Sequence, residues 1–417
     1  MSVGLDRIAA LGDFYFTRKG MPWPGAASTV VAIVCFWKGP WEGVRDCDGL
    51  SCGKIGPRLQ PEVVGGWEPK PLKSALFVFE GVHNGKGLAF VVTADHPWFE
   101  RLRSERDSLL RPYVTGNDIT STALRRVKRW ALDIGDLPLE AIAAKWPLAH
   151  RFLLEVVKPT RTPQELKSYK GLVGRWWQFW NHRADQMRRL RAQKHFVAFA
   201  KAAKYAVCMV APTEWLYTNQ VVLVEAVRED VHAICLSSMF QAWLRNYSLR
   251  SLGGDNNTMR LSISEALATF PLPARPVADA GVIAARAFQE ALVSWSEAHD
   301  GGMTDAMNAV HSRAVSDEGT LELRRLMAEI DREVALTYGW EANDLAHEFH
   351  EEPDPEGSLV VRYGLSHQAR DRVLAALIAL NRQRYDEEQE AAPATKPRAS
   401  KGRSKAVPAG QSTLALA

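Results

Sequence analysis

The spacing of apolar residues changes once along this chain, near residue 275. C-terminal to that point, residues 284–298, 321–338 and 367–389 carry apolar side chains three and four apart, the period of helices with one buried face. N-terminal to it, short β-branched or aromatic runs bounded by Gly and Pro alternate with polar stretches, which marks strands mixed with helices. Residues 75–79, 87–93, 220–225 and 231–237 read as strands, and residues 178–204 as a helix rich in Arg and Lys. The expected fold class is therefore α+β, with the helices gathered at the C-terminal end. Residues 29–36 are β-branched and apolar almost throughout, which predicts a strand buried on both faces. The short segment before it is too small to cover it, so the chain reads as if it began inside a domain.

With 417 residues, two or three domains are expected. A net charge of +4 is too small to identify a partner, so clustering of charge matters more. Cys35, Cys47, Cys52, Cys208 and Cys235 are scattered and form no pair of zinc knuckles; reduced thiols in a cytoplasmic protein are the default expectation. No apolar run is long enough to span a membrane. His347-Glu-Phe-His350 has its histidines three apart, whereas a zinc-protease helix needs four, so it reads as a solvated helix end. Glu165-Leu-Lys167 has the Glu-x-Lys form of a metal-dependent nuclease. However, Thr162-Pro-Gln-Glu165 is also a helix-capping box, and Asp133 or Asp136 would have to supply the second acid. From residue 391, Lys396, Arg398, Lys401, Arg403 and Lys405 sit among Ala, Pro and Ser without acidic partners, as in a disordered basic tail.

Several motifs occur in a telling order. Met21-Pro-Trp-Pro-Gly-Ala-Ala27 precedes the apolar run and Lys38-Gly39. Arg111-Pro-Tyr113 is followed by Gly116-Asn-Asp118. Ser237-Ser238, Trp243, Arg260 and Phe270-Pro-Leu-Pro273 come next, and then Leu323-Arg324, Asp331, Tyr338-Gly-Trp340, Leu380-Asn381 and Arg384-Tyr385. In order and spacing these resemble the C-terminal half of the adenine-N6 DNA methyltransferases of type IIG and type IIL restriction–modification systems. That half comprises the end of the methyltransferase domain, the target-recognition domain and a helical tail. The resemblance implies a remnant of the methyltransferase domain at residues 1–64, a DNA target-recognition domain at 65–274, a helical domain at 275–390 and the basic tail at 391–417. Such enzymes bind S-adenosylmethionine through a Gly-containing loop and hold the extruded adenine with an Asn/Asp-Pro-Pro-aromatic motif. No Pro-Pro dipeptide occurs in this sequence, and Gly81-Val-His-Asn-Gly85 lacks the spacing of a cofactor loop. No catalytic, cofactor-binding or metal residue is therefore assigned. S-adenosylmethionine and the catalytic motifs are expected on a separate chain or missing part.

Two clusters are candidates for contact with double-stranded DNA. Trp176, Trp177, Phe179, Trp180, His182 and Arg183 lead into Arg188, Arg189, Arg191 and Lys194. Cations of this density neutralise phosphates, whereas the tryptophans fit better as the core face of an amphipathic helix. The polar segment from Ser248 to Arg260 contains Arg250, Gly253-Gly254, Asp255 and Asn257. Asn and Arg pair with adenine and guanine edges in bidentate fashion; the same residues also make an ordinary polar turn. The resemblance places recognition residues just ahead of Phe270-Pro-Leu-Pro273, which brings forward Asp255, Asn257 and Arg260. The function expected is target recognition for a site-specific adenine methyltransferase of a restriction–modification or phage-defence system. The alternative is an assembly subunit without a DNA role, using its tryptophan-rich face for protein contact. Isothermal titration of the chain alone with S-adenosylmethionine is expected to show no binding; micromolar affinity would overturn the reading of residues 1–64.

Overall fold

The computed structural model describes residues 4–22, 30–47, 50–57, 59, 67–85, 87–123, 127–162, 164–250, 258–341, 345–353 and 359–391. The main core is built on two four-stranded sheets. In the first, Cys208–Ala211, Phe196–Ala200, Val221–Glu225 and Val78–Glu80 lie side by side, all antiparallel. Every residue of Phe196–Ala200 and Val221–Glu225 is buried, because helices pack over these central strands. Gly116–Thr120 lies against Phe196–Ala200, and Val231–Leu236 against Cys208–Ala211. In the second sheet the order is Leu216–Tyr217, Leu110–Val114, Trp130–Leu132 and Val91–Val92. A small third sheet joins Ala202–Ala203, Met259–Arg260 and Leu249–Arg250.

The C-terminal helices form as their periodicity predicts. Asp279–Ala298 buries Ala284, Ala285, Phe288, Leu292 and Trp295; Glu318–Tyr338 buries Leu323, Leu326, Ile330 and Val334. These stripes pack against each other. Asp317 caps the second helix by accepting from the Thr320 N–H at 3.0 Å. Gly339, with φ 79°, ends it in the left-handed conformation that glycine adopts without strain. His367–Glu390 follows the same pattern and buries Val373, Leu374, Leu377 and Ile378.

Polar clasps tie these helices, and the helix Ser238–Tyr247, to loops and turns elsewhere in the chain. Asn381 is fully buried. Its Oδ1 accepts from Trp67 Nε1 and the Lys70 N–H, both at 3.0 Å. Its Nδ2 donates to the carbonyls of Lys70 and Thr269, at 2.9 and 2.7 Å. All the amide's main bonding capacity is used. Asp331 accepts from the Ser238 N–H at 2.6 Å and lies 2.7 Å from His347 Nε2. The Tyr338 hydroxyl donates to the Pro271 carbonyl at 2.9 Å. Trp243 Nε1 donates to the Ala266 carbonyl at 2.9 Å.

Several expectations give way. Residues 231–237 hold a helix, Val231–Leu236; a short apolar run buried on all sides has no period that separates helix from strand. Residues 87–93 contain a single 3-10 turn, Leu88–Phe90, before the two-residue strand Val91–Val92. The expected helix over 178–204 is confined to Ala184–Arg191, with turns before it and the strand Phe196–Ala200 after it. Sheet burial of Phe196 and Phe199 outweighs helix propensity there. His347 and His350 lie on a strand, His347–Pro353, paired with Leu359–Leu365. Three residues apart on a strand, their side chains leave opposite faces.

The N-terminal sheet is ordered Val30–Lys38, Gly12–Pro22, Arg45–Cys47, Leu50–Cys52. Its core is small, centred on Phe14, Cys47 and Ile55. Val30–Lys38 is not the doubly buried strand expected. It is an edge strand, with Val34 and Phe36 packed on the small core and Ile33 and Trp37 exposed at 43% and 52%. Residues 23–26 of the Pro-rich loop and the basic tail beyond residue 391 lie outside the described residues.

His232 lies in the core on Val231–Leu236. Burial pushes its pKa down to about 4, only partly opposed by the Cys208 backbone. The unfolded chain takes up a proton there near pH 6.5, so the neutral ring supports the fold at neutral pH and that support is lost as the pH falls below 6.5. Relative to His232→Leu, the wild-type chain is expected to lose about 2.5 kcal/mol between pH 7 and pH 4.5. Urea denaturation at both pH values checks this; a constant difference would show that the ring protonates without unfolding.

Candidate nucleic-acid interface

The arginines of Ala184–Arg191 divide into two kinds. Arg189 grips Glu225 with two bonds, Nε to Oε1 at 2.8 Å and Nη2 to Oε2 at 2.5 Å. Glu225 ends a wholly buried strand and is itself buried. Arg191 Nη2 donates to Asp133, whose other oxygen lies 2.6 Å from His182 Nε2. Burial alone would raise the Asp133 pKa, but the His182 hydrogen bond and the Arg191 charge outweigh it and hold the carboxyl below its ordinary value. These two arginines are therefore committed to buried acids, although Arg189 itself stays exposed. Arg188 is exposed and meets Asp185 at 2.9 Å, and Lys194 is exposed. Arg183 precedes the helix with φ 52°; its Nε donates to the Gly81 carbonyl at 3.2 Å, and Nη2 lies 3.7 Å from Glu80.

The tryptophans pack. Trp176 and Trp177 are half-buried against the core, and the Trp177 indole donates to the Leu137 carbonyl at 3.0 Å. Phe179 is buried against Phe90, edge to face.

Beside this helix a set of polar loops is tied into one edge. The Val82 N–H donates to the Tyr217 carbonyl and the Asn219 N–H to the Val82 carbonyl, at 2.7 and 2.8 Å. His83 and Asn181 exchange backbone bonds at 2.8 and 2.9 Å. The Lys201 N–H donates to the Gln220 carbonyl, and the Leu261 N–H to the Lys201 carbonyl. Gly81 is required here, because a Cβ would lie 2.2 Å from the Tyr217 carbonyl oxygen. Asn84 Nδ2 donates to the Tyr113 hydroxyl at 2.9 Å, and burial pushes that phenol up to about 12. In the motif Gly116-Asn-Asp118, Thr115 and Asp118 form a capping box, and Asp118 also pairs with Arg129 at 2.7 Å. That leaves Asn117 exposed, next to exposed Gln220 and half-buried Asn219. Lys201 Nζ is held on Glu80 at 2.5 Å.

Arg260 is exposed on Met259–Arg260, facing Ala202 on one side and Leu249 on the other. The backbone of Arg250 lies in the partner strand. Leu249–Arg250 and Met259–Arg260 thus pair antiparallel at the two ends of the polar segment. Its residues Asp255 and Asn257 lie outside the described residues, as does the Arg250 side chain. Glu80, Lys201, Asn219 and Gln220 belong to no motif of the sequence; each lies at the start or end of a short apolar run. The nuclease reading fails at Asp133, whose charge is already matched by Arg191 and His182. Among the described residues no group of three His, Cys, Asp or Glu could hold a metal ion, and no helix is long and apolar enough to cross a membrane.

No protein-family model matches the chain, and no curated protein does. Solved structures do match. One, the type IIL restriction–modification enzyme MmeI in complex with DNA, aligns with 90% of this chain at a TM-score of 0.62 and 14% identity. The match covers 46% of that chain, so the protein spans about half the length of that enzyme. The two share an α+β fold over this span.

Removing Arg191 would leave Asp133 buried with only His182 beside it. Arg191→Met is expected to cost roughly 3 kcal/mol, and Arg188→Ala less than about 0.5 kcal/mol. Chemical denaturation of the two variants measures this; equal, small effects would return Arg191 to the surface role expected from the sequence.

Proposed function

We propose that this chain is the DNA-binding, target-recognition part of a restriction–modification adenine-N6 methyltransferase. The observation that carries the reading is the fold match over 90% of the chain to a restriction–modification enzyme solved with DNA. The loop edge adds chemical support. It presents Asn117, Asn219 and Gln220, which suit base edges, with exposed Arg188 and Lys194 nearby on Ala184–Arg191 and the segment after it. Arg260 lies exposed on Met259–Arg260, which pairs with Ala202–Ala203 beside these loops; Arg250, Asp255 and Asn257 are proposed with it from the sequence alone. S-adenosylmethionine and the catalytic motifs belong to a partner part. The exposed Ile33 and Trp37 of the N-terminal edge strand offer it an apolar surface to cover.

Fluorescence anisotropy with duplex DNA over a range of salt tests this. Arg188 and Lys194 are expected to lower the slope of log K against log salt by about 0.9 each when replaced by Ala. Arg260→Ala is expected to relax the site chosen by the complex reconstituted with its catalytic part, by roughly 1–3 kcal/mol of discrimination at one base pair. Absence of salt-dependent duplex binding by the wild-type chain would remove the DNA role.

A further inference from the structure

Between the turn at Gly135 and residues 175–184 lies an open cleft of about 420 Å³, within the size range of small-molecule sites. Arg175 and Arg183 both line it. Their guanidinium groups are positioned by neutral backbone: Arg175 Nε and Nη2 donate to the carbonyls of Gly171 and Trp180, at 3.1 and 3.3 Å, and Arg183 Nε to that of Gly81. Carbonyls orient a guanidinium without cancelling its charge. Glu80, 3.7 Å from Arg183, also serves Lys201, and the exposed Asp136 is the one carboxylate lining the cleft among the described residues. The helix Ala184–Arg191 starts at the cleft, and no side chain caps its first N–H groups, which leaves them free for an anion.

Other groups on the wall suit a base. Trp180 is held edge-on to Tyr169, with ring centroids 5.1 Å apart, and remains half-buried. Gln178 donates to the Leu137 carbonyl at 3.3 Å, which leaves its side-chain oxygen to accept. Asn181 uses its side-chain oxygen on the Arg183 N–H at 3.0 Å, which leaves its Nδ2 to donate. Two local features beside the cleft carry a cost. His182 Nδ1 is buried without a hydrogen-bond partner. Arg183 holds a left-handed conformation that a residue with a Cβ adopts at a penalty.

We propose that this cleft receives one unstacked nucleotide of a nucleic acid. Arg175, Arg183 and the helix N-terminus hold its phosphate, Trp180 packs on the base, and Gln178 and Asn181 meet the base edge. A base still stacked in a duplex cannot enter a concave site; one that is extruded or single-stranded can. The inference rests on the nucleic-acid reading above and adds to it a site that reads an unpaired base.

The test uses the full chain and three probes labelled with 2-aminopurine: a single strand, a duplex with the label opposite an abasic site, and a fully paired duplex. The two unpaired probes are expected to bind roughly tenfold tighter than the paired duplex, with quenching of the label by Trp180. Arg175→Gln and Arg183→Gly are expected to abolish that preference. Glycine is chosen at residue 183 because it tolerates the left-handed backbone, so the variant keeps the fold. Equal affinity for paired and unpaired probes, or a preference that survives both substitutions, would overturn the cleft. If the paired duplex still binds with steep salt dependence in that case, target recognition stands without it. If only the unpaired probes bind and both substitutions abolish the binding, the cleft stands and duplex recognition falls.

Discussion

Two carboxylates buried at the ends of strands in the two main sheets govern how the elements around them are arranged. Glu225 closes a strand that is buried at every position, and Asp133 follows directly on Trp130–Leu132. Neither can be left in the interior unpaired, because a lone buried charge costs several kcal/mol. The helix Ala184–Arg191 answers both, through Arg189 and Arg191. Its position is therefore fixed by electrostatics as well as by the burial of Met187 and Leu190. The same pairing limits its chemistry, since arginines committed to buried acids are poor partners for a ligand. Exposed cationic contact passes to Arg188, Lys194 and the loop edge.

A second level of order lies in polar clasps between residues far apart in the chain. Asn381 meets Trp67, Lys70 and Thr269; Asp331 meets Ser238 and His347; Tyr338 meets Pro271. Asp331, Tyr338 and Asn381, which carry part of the resemblance in the helical tail, are these clasps. Their spacing is diagnostic because each must satisfy a buried polar group on another element. They hold the C-terminal helices against the segments at Lys70, Ser238 and Thr269–Pro271.

The N-terminal sheet follows a different logic. Its core is centred on three residues, and its apolar edge strand keeps two large side chains in solvent. An edge of this kind invites pairing with another surface.

The α+β class and the three C-terminal helices were legible from residue spacing, because a helix with one buried face must repeat near 3.6. The central strand Val221–Glu225 was legible too, from its unbroken β-branched run. Composition could not tell a buried helix from a buried strand at Val231–Leu236, since both are apolar on every side. Nor could it show that the Arg-rich segment stops at Arg191 and turns into the sheet at Phe196. The site divides along the same line. That Arg and Asn cluster in two segments was written in the sequence. Which arginines remain free, and which polar loops share an edge, depended on where buried acids and backbone carbonyls met them in three dimensions. That is a matter of tertiary contact, because a charge is neutralised by its neighbours in space.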